Sequence, residues 1–314
     1  MRTLDSFPKV KLGVFPTPIQ RLDRISEKLG TNVFIKRDDL TGLGLGGNKV
    51  RKLEYLLAEA KEQKAEIVFT TGGAQSNHAM LTAAAAGKIG MKPILILKKR
   101  GITACEGNQL LEALMGTEVR FMDTDDYADI YAEMDRLGQA SGKLYYKIPC
   151  GGSNALGSLG YVECVKEISE QGQHFDAIVC AEGSGGTAAG LALGARLFLP
   201  GTKVYAMMVD TDPFDVITPK LMEEAAALLE AELKIDDRNY ALRDMCGPGY
   251  AIASEEGNAA IRLMAETEGL FLDPVYTGKA FAGLIAMAKE GKFRPEDNVL
   301  FVHTGGAGGL FAVK

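Results

Sequence analysis

The chain has 314 residues, of which 46% are hydrophobic and 24% are charged, with a formal net charge of -6. This composition is typical of a soluble globular protein with room for two domains of roughly 100–200 residues each. It argues against nucleic-acid binding, because no basic stripe can neutralise phosphates. No apolar run approaches the roughly 18 residues of a membrane span, so no membrane partner is expected.

The cysteines, the histidines and the N-terminus give further evidence on the class of protein and on its compartment. The five cysteines are scattered without C-x-x-C spacing, which is typical of reduced packing residues in a cytoplasmic protein. His78, His174 and His303 show no metal-ligand spacing, so no metal site is expected. The first residues contain no apolar signal core. We therefore expect a cytoplasmic protein without a metal.

Short apolar runs rich in β-branched residues alternate with longer helical patterns. The predicted strands are 32–36, 67–70, 93–97, 119–122, 144–148, 177–180, 204–209 and 299–303. The predicted helices are 50–63, 77–89, 107–115, 127–139, 156–170, 187–197, 217–229, 254–267 and 279–290, and the alanine- and glutamate-rich segment 223–233 also favours a helix. This alternation predicts an α/β fold with mostly parallel sheets flanked by helices, and ligands at the carboxyl ends of the strands.

One lysine follows a sharp glycine bend and begins a helical pattern, in the segment Gly46-Gly47-Asn48-Lys49. Lys49 is therefore expected in the first helical turn, where unpaired N–H groups and the helix dipole supply partial positive charge. That environment disfavours an ammonium ion and favours a reactive amine of the kind that forms Schiff bases. The alternative is a solvated surface lysine, since the chain has 35 Lys and Arg residues.

A first glycine run, residues 71–79, follows the predicted strand 67–70. Ser76 is a candidate N-cap for the helix behind it, whose first amides can receive an anion such as a carboxylate. His78 in the same turn either belongs to the site or packs against a ring or the backbone. A plain capped helix is the alternative.

A second run, residues 183–190, follows the predicted strand 177–180. A strand, a glycine-rich turn and a helix start together form a backbone cradle for phosphate, to which Ser184 and Thr187 can add hydroxyls. Close helix–strand packing is the alternative. The run also matches G-x-G-x-x-A, with Asp210 as a candidate ribose-binding acid, so an NAD-dependent dehydrogenase competes. Its mid-chain position and a spacing to Asp210 above the usual ~20 residues weaken that match.

A third run, residues 303–309, follows the last predicted strand, where Thr304 is expected to point into the same cleft and bond a ring nitrogen. A tight turn is the alternative. Tyr250 and Tyr276 lie among turn residues, and a phenol buried near a substrate can shuttle protons. Core or interface tyrosines are the alternative there.

A reactive lysine, a phosphate cradle and a hydroxyl at the last strand together indicate pyridoxal phosphate. Motifs along the whole chain resemble those of the D-cysteine desulfhydrase and 1-aminocyclopropane-1-carboxylate (ACC) deaminase family, in the tryptophan synthase β-like group. These motifs are Phe15-Pro16-Thr17-Pro18, Lys36-Arg37-Asp38-Asp39 and His303-Thr304-Gly305-Gly306. The resemblance implies a homodimeric, two-domain fold type II enzyme, with residues 1–47 plus 156–314 as the larger cofactor-binding domain and residues 48–155 as the smaller domain.

The resemblance also implies roles for individual residues, with a small amino acid as substrate. The implied catalytic residues are Lys49, Ser76, Tyr250 and Tyr276. The implied cofactor-binding residues are Lys49, Asn77, Ser184, Gly185, Gly186, Thr187 and Thr304. The implied substrate-binding residues are Ser76, Asn77, His78 and Thr277. In this family Lys49 would form the internal aldimine and Asn77 would bond the 3′-oxygen of the cofactor.

Two positions distinguish the branches of the family. By resemblance, ACC deaminases carry a glutamate and a leucine where this chain has Thr277 and Thr304. A carboxylate beside the pyridine nitrogen strengthens the electron sink, whereas a hydroxyl suffices for expelling a good leaving group such as a thiolate. We therefore expect β-elimination from D-cysteine, giving pyruvate, hydrogen sulfide and ammonia. L-Cysteate sulfo-lyase, ACC deaminase and a non-catalytic relative stay open, and segments 103–108 and 307–309 are candidates to line the pocket.

Overall fold

The structure is a computed structural model that describes residues 2–232 and 239–312. Ten strands and eleven α-helices alternate within these ranges. The strands are β1 (Ile19–Arg21), β2 (Asn32–Lys36), β3 (Ile67–Gly73), β4 (Lys92–Lys98), β5 (Glu118–Met122), β6 (Tyr145–Lys147), β7 (Ala177–Glu182), β8 (Lys203–Met208), β9 (Tyr240–Asp244) and β10 (Asn298–Val302). The helices are α1 (Asp23–Leu29), α2 (Lys49–Glu62), α3 (Asn77–Lys88), α4 (Gly107–Leu114), α5 (Tyr127–Ser141), α6 (Ala155–Glu170), α7 (Gly186–Phe198), α8 (Phe214–Leu228), α9 (Glu255–Glu268), α10 (Thr277–Lys289) and α11 (Ala307–Leu310).

The strands form two sheets, and both are almost entirely parallel. The larger sheet has the order β1-β2-β10-β7-β8-β9 and the smaller sheet the order β5-β4-β3-β6. Every neighbouring pair is parallel except β1 with β2. The predicted α/β fold with mostly parallel sheets is therefore confirmed. The strands of the larger sheet lie within 1–47 or 156–314 and those of the smaller sheet within 48–155, and the division into these two domains stays a prediction.

Each sheet is covered by helices on both faces, as buried parallel strands require. Along β7, Ile178 and Cys180 pack with α6, α7 and α8, while the alternate residues Val179 and Ala181 pack with α1, α9 and α10. Helices α2 and α3 cover one face of the smaller sheet, and α5 covers the other. The central strands are hydrophobic along nearly their whole length for this reason.

Three sequence expectations differ from the structure. The edge strands β1 and β9 and the seven-residue helix α1 are missing from the prediction, because their short, largely polar segments show no clear period. The predicted helix 217–229 begins earlier, at Phe214, and tolerates Pro219 near its start. The helical segment 223–233 is observed to Leu228, and Leu233 lies outside the described residues. Within the described ranges, no helix is both long and apolar enough to cross a membrane.

The start of α2 is tied to the turn after β10, and this contact positions Lys49. Gly47 and Gly305 form an antiparallel bridge, and the Asn48 N–H donates to the Thr304 carbonyl at 3.0 Å. Gly46 has φ +74°, and a Cβ there would stand 1.8 Å from the Asp39 carbonyl oxygen, so no other residue fits. The glycine bend therefore holds the helix start against the larger sheet.

Candidate active site

The carboxyl ends of both sheets border a cavity of about 460 Å³. It brings together most of the residues singled out in the sequence: Lys49, Ser76, Asn77, His78, Ser184, Gly185, Thr187, Tyr250, Tyr276 and Thr304. Gly186 and Thr277 are the two predicted site residues outside its lining. Segments from six separate parts of the chain therefore meet at one place.

Lys49 is the first residue of α2, and its side chain is half-buried in the cavity wall. Its Nζ donates to the Gly151 carbonyl at 3.3 Å. Burial lowers the pKa of Lys49 to about 8, although Cys150 and Glu182 oppose the shift. Near neutral pH an appreciable fraction of the amine is therefore neutral, as a nucleophile or base requires.

A second lysine, Lys52, lies one helical turn further on and was missed from the sequence. It is completely buried, and its Nζ donates to the Gly151 carbonyl and to Ser153 Oγ, both at 3.1 Å. Burial, followed by the charge of Lys49, lowers its pKa well below the usual value. The available signal was the spacing of three residues, which places both lysines on one helix face.

The glycine run after β7 surrounds Ser153, which also went unnoticed in the sequence. Ser153 Oγ lies 2.9 Å from Ser184 Oγ and accepts from the Gly186 N–H at 3.2 Å. A Cβ on Gly186 would stand 2.8 Å from both Lys52 Nζ and Ser153 Oγ. Hydroxyls, the buried amino group of Lys52 and the N-terminus of α7 converge here, which is a donor set that fits a phosphate.

Two members of the run are already engaged. Thr187 Oγ1 accepts from Asn48 Nδ2 at 3.0 Å, and the Gly185 N–H donates to Glu182 Oε1 at 2.7 Å. Gly185 has φ +86°, a conformation that favours glycine. These bonds hold the loop in shape and leave the hydroxyl of Thr187 with a proton to donate.

Ser76 and Asn77 form the N-terminus of α3 on the opposite wall. Ser76 caps the helix by accepting from the Ala79 N–H at 3.2 Å. Asn77 Oδ1 accepts from Asn108 Nδ2 at 2.8 Å, which leaves the NH₂ group of Asn77 to donate to another oxygen. The start of α3 thus offers N–H donors to an anion or a phenolic oxygen.

His78 stands behind this turn as a neutral imidazole. Its Nε2 lies 2.7 Å from Thr70 Oγ1, and that hydroxyl donates to the Ile148 carbonyl at 2.9 Å, so Nε2 carries the proton. Burial, then Lys49 and Lys52, lower the pKa of His78 well below its usual value. Its side chain therefore supplies no positive charge to the cavity.

Tyr250 and Tyr276 form a hydroxyl pair on the third wall. Their phenolic oxygens are 2.5 Å apart, and burial raises the pKa of each, so both stay protonated at neutral pH. Both rings lie close to a glycine: a Cβ on Gly73 would stand 3.2 Å from the Tyr250 ring, and one on Gly183 would stand 3.1 Å from the Tyr276 ring, so either would press on the ring. The pair is placed to give or receive one proton.

The two threonines that distinguish the family branches differ in placement. Thr304 lines the cavity. Thr277 is fully buried outside it, with its hydroxyl donating to Asp273 Oδ1 at 2.6 Å. Segments 103–108 and 307–309 are also absent from the lining, so that expectation is wrong. They pack behind Asn77 instead, because Asn108 bonds it and a Cβ on Gly308 would stand 2.1 Å from Asn108 Oδ1.

The mouth of the cavity is charged. Arg100, just after β4, donates to Asp125 Oδ1 at 2.7 Å and reaches within 4.0 Å of Asp210 across the cavity. Asp210, the candidate ribose-binding acid, therefore faces a cation at the rim. Among residues 2–232 and 239–312, no cluster of three His, Cys, Asp or Glu residues is arranged to hold a metal ion.

Comparison with known proteins relates this chain to one enzyme class. A family model described as pyridoxal-phosphate dependent enzyme matches residues 10–305. A Thermotoga maritima protein named as a candidate ACC deaminase is 44% identical over 97% of this chain and 98% of its own length. Two D-cysteine desulfhydrases of Klebsiella pneumoniae are 42% and 43% identical, each over 99% of this chain and 98% of its own.

Comparison with solved structures leads to the same group of proteins. An ACC deaminase homologue superimposes with a TM-score of 0.92 at 41% identity, covering 98% of this chain and 94% of that one. A serine racemase from Dictyostelium discoideum shares the fold, with a TM-score of 0.68 at 15% identity over 92% of each chain.

Proposed function

The chain belongs to the pyridoxal-phosphate-dependent enzyme family, and from that premise we propose that it converts D-cysteine and water to pyruvate, hydrogen sulfide and ammonia. Its cofactor is pyridoxal phosphate, and full-length relatives named D-cysteine desulfhydrase support this reaction. The family membership argues against the NAD-dependent dehydrogenase interpretation, and we assign the loop at 183–190 to the phosphate of pyridoxal phosphate.

One observation carries the proposal: the half-buried amine of Lys49 shares its cavity with a phosphate-sized donor cluster and a protonated phenol pair. The cofactor phosphate would be held by Lys52, Ser153, Ser184 and the N-terminus of α7. The Asn77 NH₂ group and the Thr304 hydroxyl would bond polar atoms of its ring. Bound pyridoxal phosphate supplies an electron sink that stabilises negative charge at the α-carbon of an amino acid.

The residues of the chain then divide the proton transfers. Lys49 Nζ takes the proton from the substrate α-carbon, since its lowered pKa leaves part of the amine neutral. The first amides of α3, capped by Ser76, receive the substrate carboxylate. The hydroxyl pair of Tyr250 and Tyr276 stays protonated because its pKa values are raised, and it donates a hydrogen bond to the departing sulfur, which leaves as hydrosulfide.

The choice of D-cysteine rests on Thr304. Its neutral hydroxyl lines the cavity, whereas Thr277 is turned toward Asp273 and contributes nothing to the lining. A neutral partner suits a thiolate leaving group better than the opening of a cyclopropane ring. ACC deaminase activity is the second candidate, because a 44% identical relative and a 41% identical solved structure are named for it. L-Cysteate sulfo-lyase activity is a third candidate, since the residues that line the cavity do not indicate which leaving group it accepts.

A pyruvate-release screen with D-cysteine, L-cysteine, L-cysteate, D-serine and ACC tests the proposal. We expect D-cysteine to give the highest kcat/KM, with one sulfide released per pyruvate. Dominant turnover of L-cysteate, or 2-oxobutyrate formed from ACC alone, refutes it. Lys49→Ala should lose both turnover and the visible absorbance at roughly 410–430 nm typical of lysine-bound cofactor. A yellow protein that turns over none of these compounds would be a non-catalytic relative.

Assembly as a homodimer in the cytoplasm completes the proposal. Helix α4 buries polar residues and exposes Leu110 and Leu114. Met115 directly after it is also exposed, and Phe311 after the neighbouring α11 is 76% exposed. Apolar side chains gathered on a surface are typical of protein interfaces. Light scattering after size exclusion should give twice the monomer mass, and Leu114→Glu should shift it toward the monomer. All five cysteines are free thiols, in keeping with a reducing compartment.

A further inference from the structure

A buried carboxyl stands directly beneath the phosphate loop. Glu182 is the last residue of β7 and is 1% exposed. Its Oε1 accepts from the Gly185 N–H at 2.7 Å, whereas Oε2 is buried without a hydrogen-bond partner. An incoming phosphate adds negative charge to the same loop. An ionised Glu182 carboxylate would therefore repel the phosphate that the loop binds. Nothing in the proposed reaction uses this group.

The polar and titratable groups around Glu182 come from four elements. They are Lys49 and Lys52 on α2, Cys180 on β7, Thr218 on α8 and Tyr240 on β9. Thr218 Oγ1 and Tyr240 OH are also buried and unpartnered. The exposed side chains of Lys220 and Glu224 on α8 border the cavity at its rim. Lys49 and Lys52 are therefore the two bases whose protonated forms offset an ionised Glu182, and a bound phosphate competes for Lys52.

We propose that Glu182 couples binding of the cofactor phosphate to the uptake of one proton from solvent. Without phosphate, the carboxylate is stabilised by the Gly185 N–H and by the positive charge that Lys49 and Lys52 carry when protonated. With phosphate bound, Lys52 pairs with the phosphate, and the carboxyl becomes neutral by protonation. The neutral acid still accepts from Gly185 through Oε1, so the loop keeps its shape. Its new O–H gives Oε2 a proton to donate.

The direction of the resulting pH dependence follows from linkage. Burial raises the pKa of Glu182 to about 7 in the protein without ligand, against the Gly185 hydrogen bond and the two lysines. The added phosphate charge raises it further, so the bound state holds one more proton above that pH. Affinity is then constant below about pH 7 and weakens by about tenfold per pH unit above it, because the proton must be taken up.

Equilibrium ultrafiltration of the holoenzyme at pH 6.5, 7.5 and 8.5 measures this dependence as the cofactor Kd. Between pH 7.5 and 8.5 the wild-type Kd should rise about tenfold more than that of Glu182→Gln, which keeps the Gly185 acceptor but cannot titrate. The comparison cancels the titration of the free cofactor phosphate, which both proteins share. Glu224→Gln, a carboxyl at the exposed rim, should keep the wild-type slope. Equal slopes in wild type and Glu182→Gln overturn the proposal.

A second measurement needs no variant. Pyridoxine 5′-phosphate, which has no aldehyde, is added to cofactor-free full-length protein at pH 8, and the infrared difference spectrum is recorded. A new band of a protonated carboxyl is expected, and its absence overturns the proposal even if Glu182→Gln fails to fold. Both results are independent of the substrate, so a protein inactive on D-cysteine still answers the question.

Discussion

Replacement of Lys52 by methionine tests the phosphate cradle most directly. The Lys52 amino group is completely buried and donates to the Gly151 carbonyl and Ser153 Oγ, both at 3.1 Å. Methionine has a similar length and carries no charge. The change therefore removes the cation while leaving the packing of α2 nearly intact.

The expected size of the effect follows from the hydrogen bonds of a charged donor. Such bonds contribute about 1.5–3 kcal/mol, and every 1.4 kcal/mol corresponds to tenfold in affinity. The cofactor Kd should therefore rise about 10- to 150-fold. In the cofactor-free protein the removal also relieves the desolvation of a buried ammonium, and Lys49 still donates to the Gly151 carbonyl. The free energy of unfolding of that form should change by less than about 1 kcal/mol.

The two quantities separate a binding role from a folding role. Ultrafiltration gives the cofactor Kd, and urea denaturation of the cofactor-free protein gives the free energy of unfolding. Lys220→Met is the matched control, since Lys220 borders the same cavity but is solvent-exposed, and its Kd should change less than about twofold. A Kd for Lys52→Met within about threefold of wild type would show that the phosphate binds elsewhere.

Three further predictions concern the same wall and its support. Burial lowers the pKa of Lys49 to about 8. The rate of covalent cofactor incorporation, followed by visible absorbance, should therefore rise with pH up to about 8 and level off above that pH. A rate that stays constant from pH 6 to 9 would contradict that pKa. Gly186→Ala places a Cβ 2.8 Å from Lys52 Nζ and from Ser153 Oγ in the phosphate cradle. Cofactor affinity should therefore fall at least tenfold, with little change in far-UV circular dichroism. Wild-type affinity would contradict this steric argument. Asp38→Asn removes the charge of one of the two carboxylates that bind the buried Arg51 guanidinium, the other being Glu167. It should lower the free energy of unfolding by about 3 kcal/mol, against less than about 1 kcal/mol for the exposed Asp23→Asn. Equal losses would contradict a stabilising role of the buried ion pair.

The sequence predicts the parts of this protein that depend on neighbouring residues. The β-α alternation gives the parallel sheets, because residue period and chain direction are local properties. The glycine run at 183–190 predicts a phosphate loop, since a strand, a turn and a helix start in succession need no distant partner. Lys49 is recognisable for the same reason, as glycines and a helical pattern flank it directly. These expectations agree with the placement of the loop and of Lys49 in the structure.

The residues that the sequence did not reveal depend on packing between distant segments. In the sequence, Lys52 cannot be told from a solvated lysine. In the structure, it is bonded by residues 151–153, which lie about a hundred positions away. In the sequence, Glu182 is an ordinary residue at the end of a strand. In the structure, burial raises its pKa to about 7. Thr277 matches a family position in the sequence, yet its hydroxyl turns to Asp273 instead of the cavity. Local sequence determines backbone conformation, whereas the charge state and direction of a side chain follow from desolvation and partners, which only the folded chain provides.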